Sequence, residues 1–357
     1  MISKEFFENV ELMAKERGIS VDQALEAVRE GMIKAYRKAT GNVSARVEFK
    51  PEKNEIIMYS QMLVVDEISD DPEIEMSQIT LADAKKISSR CKIGDVIEQK
   101  IDPKKDFGRQ AASVGKQTFN QNVRNAEKDN ITEYFKKCEN EMIDATVIRC
   151  DEKGATLQLA NNYTTFLPAR EILPNDNFTI GEKIKIYLVS VENTSKGPKI
   201  TVSRSDKNLV IRLMEQSIPE IQDGTIEIMG IARDAGDRSK VAICSTDPNV
   251  DAIGSCVGEK GMRINSIVNA LNGEKIDLYK YSAVPEELIA NSLQPATVLA
   301  VIDVDPKAKT SLAIVPDDQL SLAIGKAGQN VRLAVQSCGW KIDIKSESDA
   351  KAEGRSF

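Results

Sequence analysis

Val250-Asp-Ala-Ile-Gly-Ser-Cys-Val-Gly-Glu-Lys-Gly-Met-Arg-Ile-Asn-Ser-Ile-Val268 decides the fold, because a weaker copy of it returns as Leu320-Ser-Leu-Ala-Ile-Gly-Lys-Ala-Gly-Gln-Asn-Val-Arg-Leu-Ala334. In each copy a short apolar helix, Val250 to Val257 and then Asp318 to Ile324, runs into Gly-x-x-Gly, and a second amphipathic helix begins at once. The glycines admit backbone angles closed to other residues and leave no Cβ in the path of an approaching ligand. Amides at the start of the second helix have no partner within it, and the helix dipole adds to their preference for an anion such as phosphate. Apolar runs frame both corners as strands. Ile226 to Ile231 and Lys240 to Cys244 precede the first and Lys275 to Tyr279 follows it; Ala296 to Val304, Thr310 to Val315 and Lys341 to Ile344 surround the second.

The repeated frame resembles the KH domain, whose Gly-x-x-Gly loop clamps the backbone of about four nucleotides. A lone Gly-x-x-Gly is as readily a turn between core helices; recurrence in the same order of elements selects the KH reading, since context confirms a short motif. The candidate RNA-binding residues are Gly258, Glu259, Lys260, Gly261 and Arg263 in the first unit and Gly325, Lys326, Ala327, Gly328, Gln329 and Arg332 in the second. Glu259 puts a carboxylate where a phosphate approaches, so the first loop is expected either to turn that side chain away or to bind more weakly than the second.

A chain of 357 residues has room for about two to four domains with ordinary cores. Its net charge of −7 excludes a general positive field for nucleic acid. Only residues 100–137 are net basic, with 9 Lys and Arg against 5 Asp and Glu. RNA binding must then rest on local geometry and stacking, with modest affinity and moderate salt dependence. The absence of histidine removes the commonest general base and metal ligand, and histidine-based catalysis with them. Cysteines at 91, 138, 150, 244, 256 and 338 make no Cys-x-x-Cys spacing, so buried free thiols in a reducing cytosol are expected, with no metal and no cofactor. No apolar run spans a bilayer and no basic-then-apolar start reads as a signal, which points to a cytoplasmic protein with no membrane partner.

From the start, residues 4–17 place apolar side chains at helical intervals up to Gly18, and Ser20 caps a second helix over Val21 to Ala39. Its stripe of Ala24, Leu25, Val28, Met32, Ile33 and Tyr36 predicts a small core. Alternation then predicts strands from Val43, over Glu55 to Ser60 and over Gln61 to Val65, with Pro51 to Asn54 as a turn and Asp70 to Glu75 as an acidic loop. Thr80 caps a helix to about Ser88, and Gly94 to Ile101 is a further strand. About thirty residues from Phe107 read as one long helix, a spacer in which Gly108 and Gly115 are weak points of roughly 1 kcal/mol each relative to alanine. Met142 to Arg149, Ala155 to Leu159, Thr164 to Pro168, Lys183 to Val191 and Lys199 to Ser203 predict a five-stranded barrel without exposed edges, with turns at Asp151 to Gly154, Asn161-Asn162 and Thr194 to Pro198. Phe166-Leu-Pro168, followed by a glycine turn and the strand Gly181-Glu-Lys-Ile-Lys-Ile-Tyr-Leu-Val, resembles the S1 member of the OB-fold group. That resemblance makes Tyr163 and Phe166 the candidate base-stacking residues.

Head, connector helix, S1 barrel and two KH units, in that order, resemble the NusA family of bacterial transcription termination and antitermination factors. Phe107-Gly-Arg109, Phe166-Leu-Pro168, Gly258-Glu-Lys-Gly261 and Ile324 to Ala334 carry the resemblance. It implies a multidomain α+β fold: an N-terminal α/β head that binds RNA polymerase over 1–103, a long connector helix over 104–137, a five-stranded S1 (OB-fold) β-barrel over 138–203, two tandem KH domains over 204–281 and 282–346, and a tail over 347–357. It further implies a monomeric, non-enzymatic factor that docks near the RNA exit channel and follows nascent single-stranded RNA together with other antitermination factors. Two readings from other classes are weaker. An RNA-processing enzyme of the polynucleotide phosphorylase kind carries its KH before its S1 and after large catalytic domains, and the acidic loop of Asp70, Asp71, Glu73 and Glu75 reads as solvated. A ribosome-associated KH protein would be strongly basic, and this chain is acidic.

Overall fold

The computed structural model describes residues 5–71, 74–103, 107–194 and 197–357. The expectations for Lys4, for Pro72 and Glu73 in the acidic loop, for residues 104–106 of the connector and for Ser195 and Lys196 in a barrel turn lie outside the described residues. Two compact units emerge, Met1–Tyr134 with Ser195–Pro198 and Phe135–Thr194 with Lys199–Phe357.

In the first unit α1 (Phe6–Arg17) and α2 (Val21–Thr40) form a hairpin. Gly18 ends α1 with φ 64°. Ser20 Oγ accepts from the Gln23 amide at 3.1 Å while the Gln23 side chain accepts from the Ser20 amide at 2.9 Å. A cap of this kind stabilises a helix start by about 1 kcal/mol. Next come β1 (Ala45–Lys50), β2 (Glu55–Val65), β3 (Gln78–Thr80), α3 (Leu81–Ile87) and β4 (Val96–Ile101). Where the sequence suggests two strands over 55–65 there is one, because β2 pairs with β1 through its first half, with β4 through Met58 to Leu63 and with β3 at its end.

α4 (Arg109–Lys137) departs from the spacer reading. Of the predicted α2 stripe, Ala24 and Tyr36 are buried and Leu25, Met32 and Ile33 pack half-buried against the core, and the small Ala27, Gly31 and Ala35 are buried as well. A Cβ on Gly31 would meet the Gly115 carbonyl oxygen at 2.9 Å, and one on Gly115 would meet the Gly31 oxygen at 2.8 Å, so the helices cross in backbone contact. Gly115 is therefore what permits the crossing. Val123, with Phe119 and Ala126 beside it, completes the core around Val10 and Ala14. Phe107 packs tilted against Tyr36 with ring centroids 6.4 Å apart.

The second unit opens with the S1 barrel: β5 (Met142–Asp151), β6 (Gly154–Gln158), β7 (Thr164–Pro168), β8 (Lys183–Thr194) and β9 (Gly197–Ser203), in the order β7-β6-β5-β8-β9. Its edges are not abolished. Thr165 on β7 donates its hydroxyl to the Ile200 carbonyl on β9 at 2.7 Å, which makes the barrel nearly closed.

Each KH unit begins with a helix outside the strand-and-corner frame expected from the sequence. α5 (Lys207–Ser217), capped by Asp206, and the short α6 (Pro219–Gln222) precede β10 (Ile226–Asp234), β11 (Arg238–Ser245), α7 (Ala252–Val257), α8 (Met262–Ala270) and β12 (Lys275–Lys280). In the second unit α9 (Pro285–Ser292) precedes β13 (Ala300–Asp305), β14 (Thr310–Val315), α10 (Leu320–Ile324), α11 (Gln329–Cys338) and β15 (Lys341–Ser346). Both sheets have the same topology, a central strand antiparallel to the first and parallel to the last. Alternation along β11 divides the work between faces. Val241 and Ile243 join the core of their own unit, while Ala242 joins Tyr279, Leu293, Ala334 and Trp340 in a core shared with the second unit. The expected tail is also structured: α12 (Glu347–Ala352) buries Ala350 against Leu312 and Ile314 on the outer face of the second sheet. Of the six cysteines only Cys256 is buried, its thiol pushed up to about 11 by burial, and Cys150 is exposed.

Candidate nucleic-acid interface

Each Gly-x-x-Gly corner is held in the same conformation. Gly258 has φ 74° and ψ 176°, and Gly325 has φ 76° and ψ 170°. The third residues, Lys260 and Ala327, are left-handed at φ 51° and 52°, as are Gly261 and Gly328 at 75°. The first glycine amide ends the preceding helix, donating to the Gly254 or Ser321 carbonyl at 2.9 Å, and the second donates back to the first across the turn at 3.1 Å. Identical backbone from different side chains marks the frame, with its two glycines, as the common element. Glu259, Lys260, Lys326 and Ala327 are all exposed at the tips.

Arg263 and Arg332, read together from sequence, are not equivalent. Counting from the glycines, Arg263 corresponds to Asn330, and these two do the same task. Arg263 Nη1 donates to the Ser255 carbonyl at 2.7 Å and to Glu220 at 2.8 Å; Asn330 Nδ2 donates to the Ala323 and Leu293 carbonyls, each at 3.0 Å. Both tie the corner to the helix before it and lie directly beneath the first glycine, where a Cβ would come within 2.7 Å of either residue. Arg332 corresponds to Asn265 and reaches instead into the first unit, donating to Asp234 at 2.5 Å. Gln329 reaches the same way, to Asp234 at 3.0 Å and Asp237 at 2.6 Å.

Beside the first corner runs a groove of about 790 Å³. Ile253, Val257 and Ile264 form one wall, Ile276 and Leu278 of the edge strand form the floor, and Gln294 of the second unit stands opposite. The corresponding groove of the second unit, about 380 Å³, lies between Leu320, Ile324 and Ile344 and is walled by Asp349 of α12. On the S1 barrel the two aromatics separate. Phe166 on β7 is 48% exposed, whereas Tyr163 sits with its ring 5.7 Å from Phe135 and its phenol pushed up by burial. The described residues contain no group of three or more His, Cys, Asp or Glu placed to hold a metal ion.

Family models match the chain in the order of its fold: the NusA N-terminal domain over residues 5–129, the S1 RNA binding domain over 136–203, the NusA-like first KH domain over 204–281 and the NusA-like second KH domain over 285–352. The transcription termination/antitermination protein NusA of Bacillus subtilis (strain 168) is 43% identical over 354 residues, 99% of this chain and 94% of that one. The chain belongs to the NusA family. The protein of the same description from Thermus thermophilus is 37% identical over 355 residues, 96% of this chain and 90% of that one. The solution structure of the N-terminal domain of NusA from B. subtilis covers 36% of this chain and 99% of its own at 34% identity, with a TM-score of 0.27.

What holds the modules of this NusA-family chain in line was invisible in its sequence. Arg204, in the link between S1 and the first KH unit, is buried. It grips Asp176 through Nε at 2.6 Å and Nη2 at 2.8 Å and donates to the Lys185 carbonyl at 2.7 Å. Asn272 adds a bond to Asp176 at 2.6 Å, and Asn175 donates to the Gly236 carbonyl at 2.7 Å, so the barrel is fastened to the first KH unit through both partners of a buried ion pair. Between the KH units, Lys240 is buried and donates to the Ser292 and Gln294 carbonyls at 2.8 and 2.7 Å; burial pushes its ammonium down to about 8. Tyr279 donates to Ser337 Oγ at 2.9 Å across the same seam.

Proposed function

We propose that this NusA-family chain is a non-enzymatic, cytoplasmic transcription factor whose head docks on RNA polymerase near the RNA exit channel while S1 and the two KH units hold nascent single-stranded RNA. Acting as a monomer with other antitermination factors, it modulates pausing, termination and antitermination. The observation that carries the reading is the pair of Gly-x-x-Gly corners with one backbone conformation, each with a groove of mixed apolar and polar lining beside it. A phosphate is taken by the corner amides and the Lys326 or Lys260 ammonium, and bases turn toward the groove, where the edge strand offers backbone partners. Phe166 provides a stacking surface on S1. The names of the relatives support the transcriptional role.

Each site by itself is weak. Held in line, however, each stretch bound raises the effective concentration at the next. Lys326→Asp with Ala327→Asp tests the RNA half. Two carboxylates then replace a phosphate-accepting tip, and loss of a charge-assisted bond at roughly 1.5–3 kcal/mol predicts binding weaker by about tenfold or more in a filter assay. Unchanged binding by a folded variant refutes it. For the polymerase half, crosslinking of the full chain in a stalled elongation complex is expected to join the head to polymerase and the KH units to transcript. A head that crosslinks nowhere on polymerase refutes the docking.

A further inference from the structure

The second corner has an acidic neighbour that phosphate binding leaves unused. Gln329 follows Gly328 directly, and Arg332 lies one turn further along the same face of α11. Both side chains are held by the hairpin between β10 and β11 of the first KH unit: Asp234 Oδ2 accepts from Gln329 Nε2 at 3.0 Å and from Arg332 Nη2 at 2.5 Å, and Asp237 Oδ2 accepts from Gln329 at 2.6 Å. The corresponding positions after the first corner are Met262 and Asn265, which carry no charge. The arrangement thus belongs to the more basic of the two loops alone. It is also accessible, since the side chains of Arg332 and Asp234 are 52% and 27% exposed, and exchanging one partner for another opens no core.

We propose that Asp234 and Asp237 form an acidic gate on the second corner, holding Arg332 and Gln329 until a phosphate of single-stranded RNA takes them over. This rests on the RNA reading above. An exposed ion pair contributes little to stability, so a phosphate already seated on the corner amides competes for the guanidinium at little cost. The carboxylates remain close by after the exchange and repel the same phosphate. Their effect is to lower the affinity of the second corner for polyanions that bring charge without engaging the amides. Selectivity is gained in this way by a repulsive element rather than by a further contact. In a chain of net charge −7 it also keeps a rare patch of positive charge occupied.

The test is a double-mutant cycle on the full chain, with an unstructured RNA long enough to cover both corners, read by fluorescence anisotropy at low and at moderate salt. Asp234→Asn with Asp237→Asn retains oxygen acceptors for Gln329 but removes both charges, and is expected to tighten binding about fivefold, less so at the higher salt. In an Arg332→Gln background the same pair of substitutions is expected to gain less than about twofold, because the held cation is gone. Binding that is unchanged or weaker in the double asparagine variant, or an equal gain in both backgrounds, overturns the gate. Asp237→Asn alone leaves the Arg332 pair intact and provides the reading should the double variant not fold: about twofold tighter is expected, and no gain overturns the gate. Lys326→Asp with Ala327→Asp serves as the control. Undiminished binding there strikes at the RNA reading itself, whereas loss there without a gain in the asparagine variants strikes at the gate alone.

Discussion

Replacing Gly325 by alanine, with Gly328→Ala as the internal control, tests whether the corner needs glycine for its backbone or only for access. At Gly328 φ is 75° and ψ 15°, and an added Cβ meets nothing within 4 Å. That substitution costs about 1–2 kcal/mol, the left-handed penalty of an L-residue. At Gly325 ψ is 170°, in a region that is essentially glycine-only. There the Cβ falls 2.7 Å from the Asn330 amide nitrogen and 2.8 Å from its Cβ. Asn330 cannot retreat, because it is 4% exposed and its side chain is tied to two carbonyls at 3.0 Å. Backbone strain and overpacking at about 1–3 kcal/mol each give a loss of about 2–6 kcal/mol, the overpacking part of which the control lacks. Trp340, the single tryptophan, is buried in the core around the second KH unit, so urea unfolding followed by its fluorescence reports the affected region. The expected outcome is a midpoint far lower for Gly325→Ala than for Gly328→Ala. Equal midpoints would refute the argument.

Two further outcomes follow from the buried charges. Arg204→Met leaves Asp176 buried without its partner and is expected to cost about 3–5 kcal/mol, most of which Asp176→Leu in the same chain restores; calorimetry showing a loss under about 1 kcal/mol would count against the fastening of S1 to the first KH unit. Because the Lys240 ammonium is pushed down to about 8 from 10.5, the unfolded chain binds the extra proton between those values, and stability rises as pH climbs from about 8 toward 10.5. Lys240→Met is expected to remove this rise, and urea midpoints with the same pH slope in both proteins would rule it out.

Much of the fold was legible because local signals agreed. Gly18, Ser20 and Thr80 mark helix ends, and each does so in the structure. The two KH frames were legible through repetition. What escaped has a common cause, contact between segments far apart in the chain. Gly115 looks like a flaw in a helix until Gly31 is placed opposite, and of the buried row Ala24, Ala27, Gly31 and Ala35 only Ala24 was legible, because larger neighbours dominate a hydropathy stripe. α5 and α9 carry start signals in Asp206 and Pro285, but they end at Ile218 and Leu293 with no glycine to mark the stop, which left them illegible. At the site, the corner backbone followed from sequence, but the separate tasks of Arg263 and Arg332 did not. Two arginines near two similar loops read alike until the alignment of the repeats assigns one of them the place of Asn330.

The seam in which Ala242 and Tyr279 meet Leu293, Ala334 and Trp340 is a packed interior and not a tether. Such interiors resist compression. A strand that engages both corners must therefore conform to a ruler cut into the protein, and the number of nucleotides between its two anchored phosphates is set by side chains that never touch it. Changing the volume of Ala242 would recalibrate that ruler from the inside.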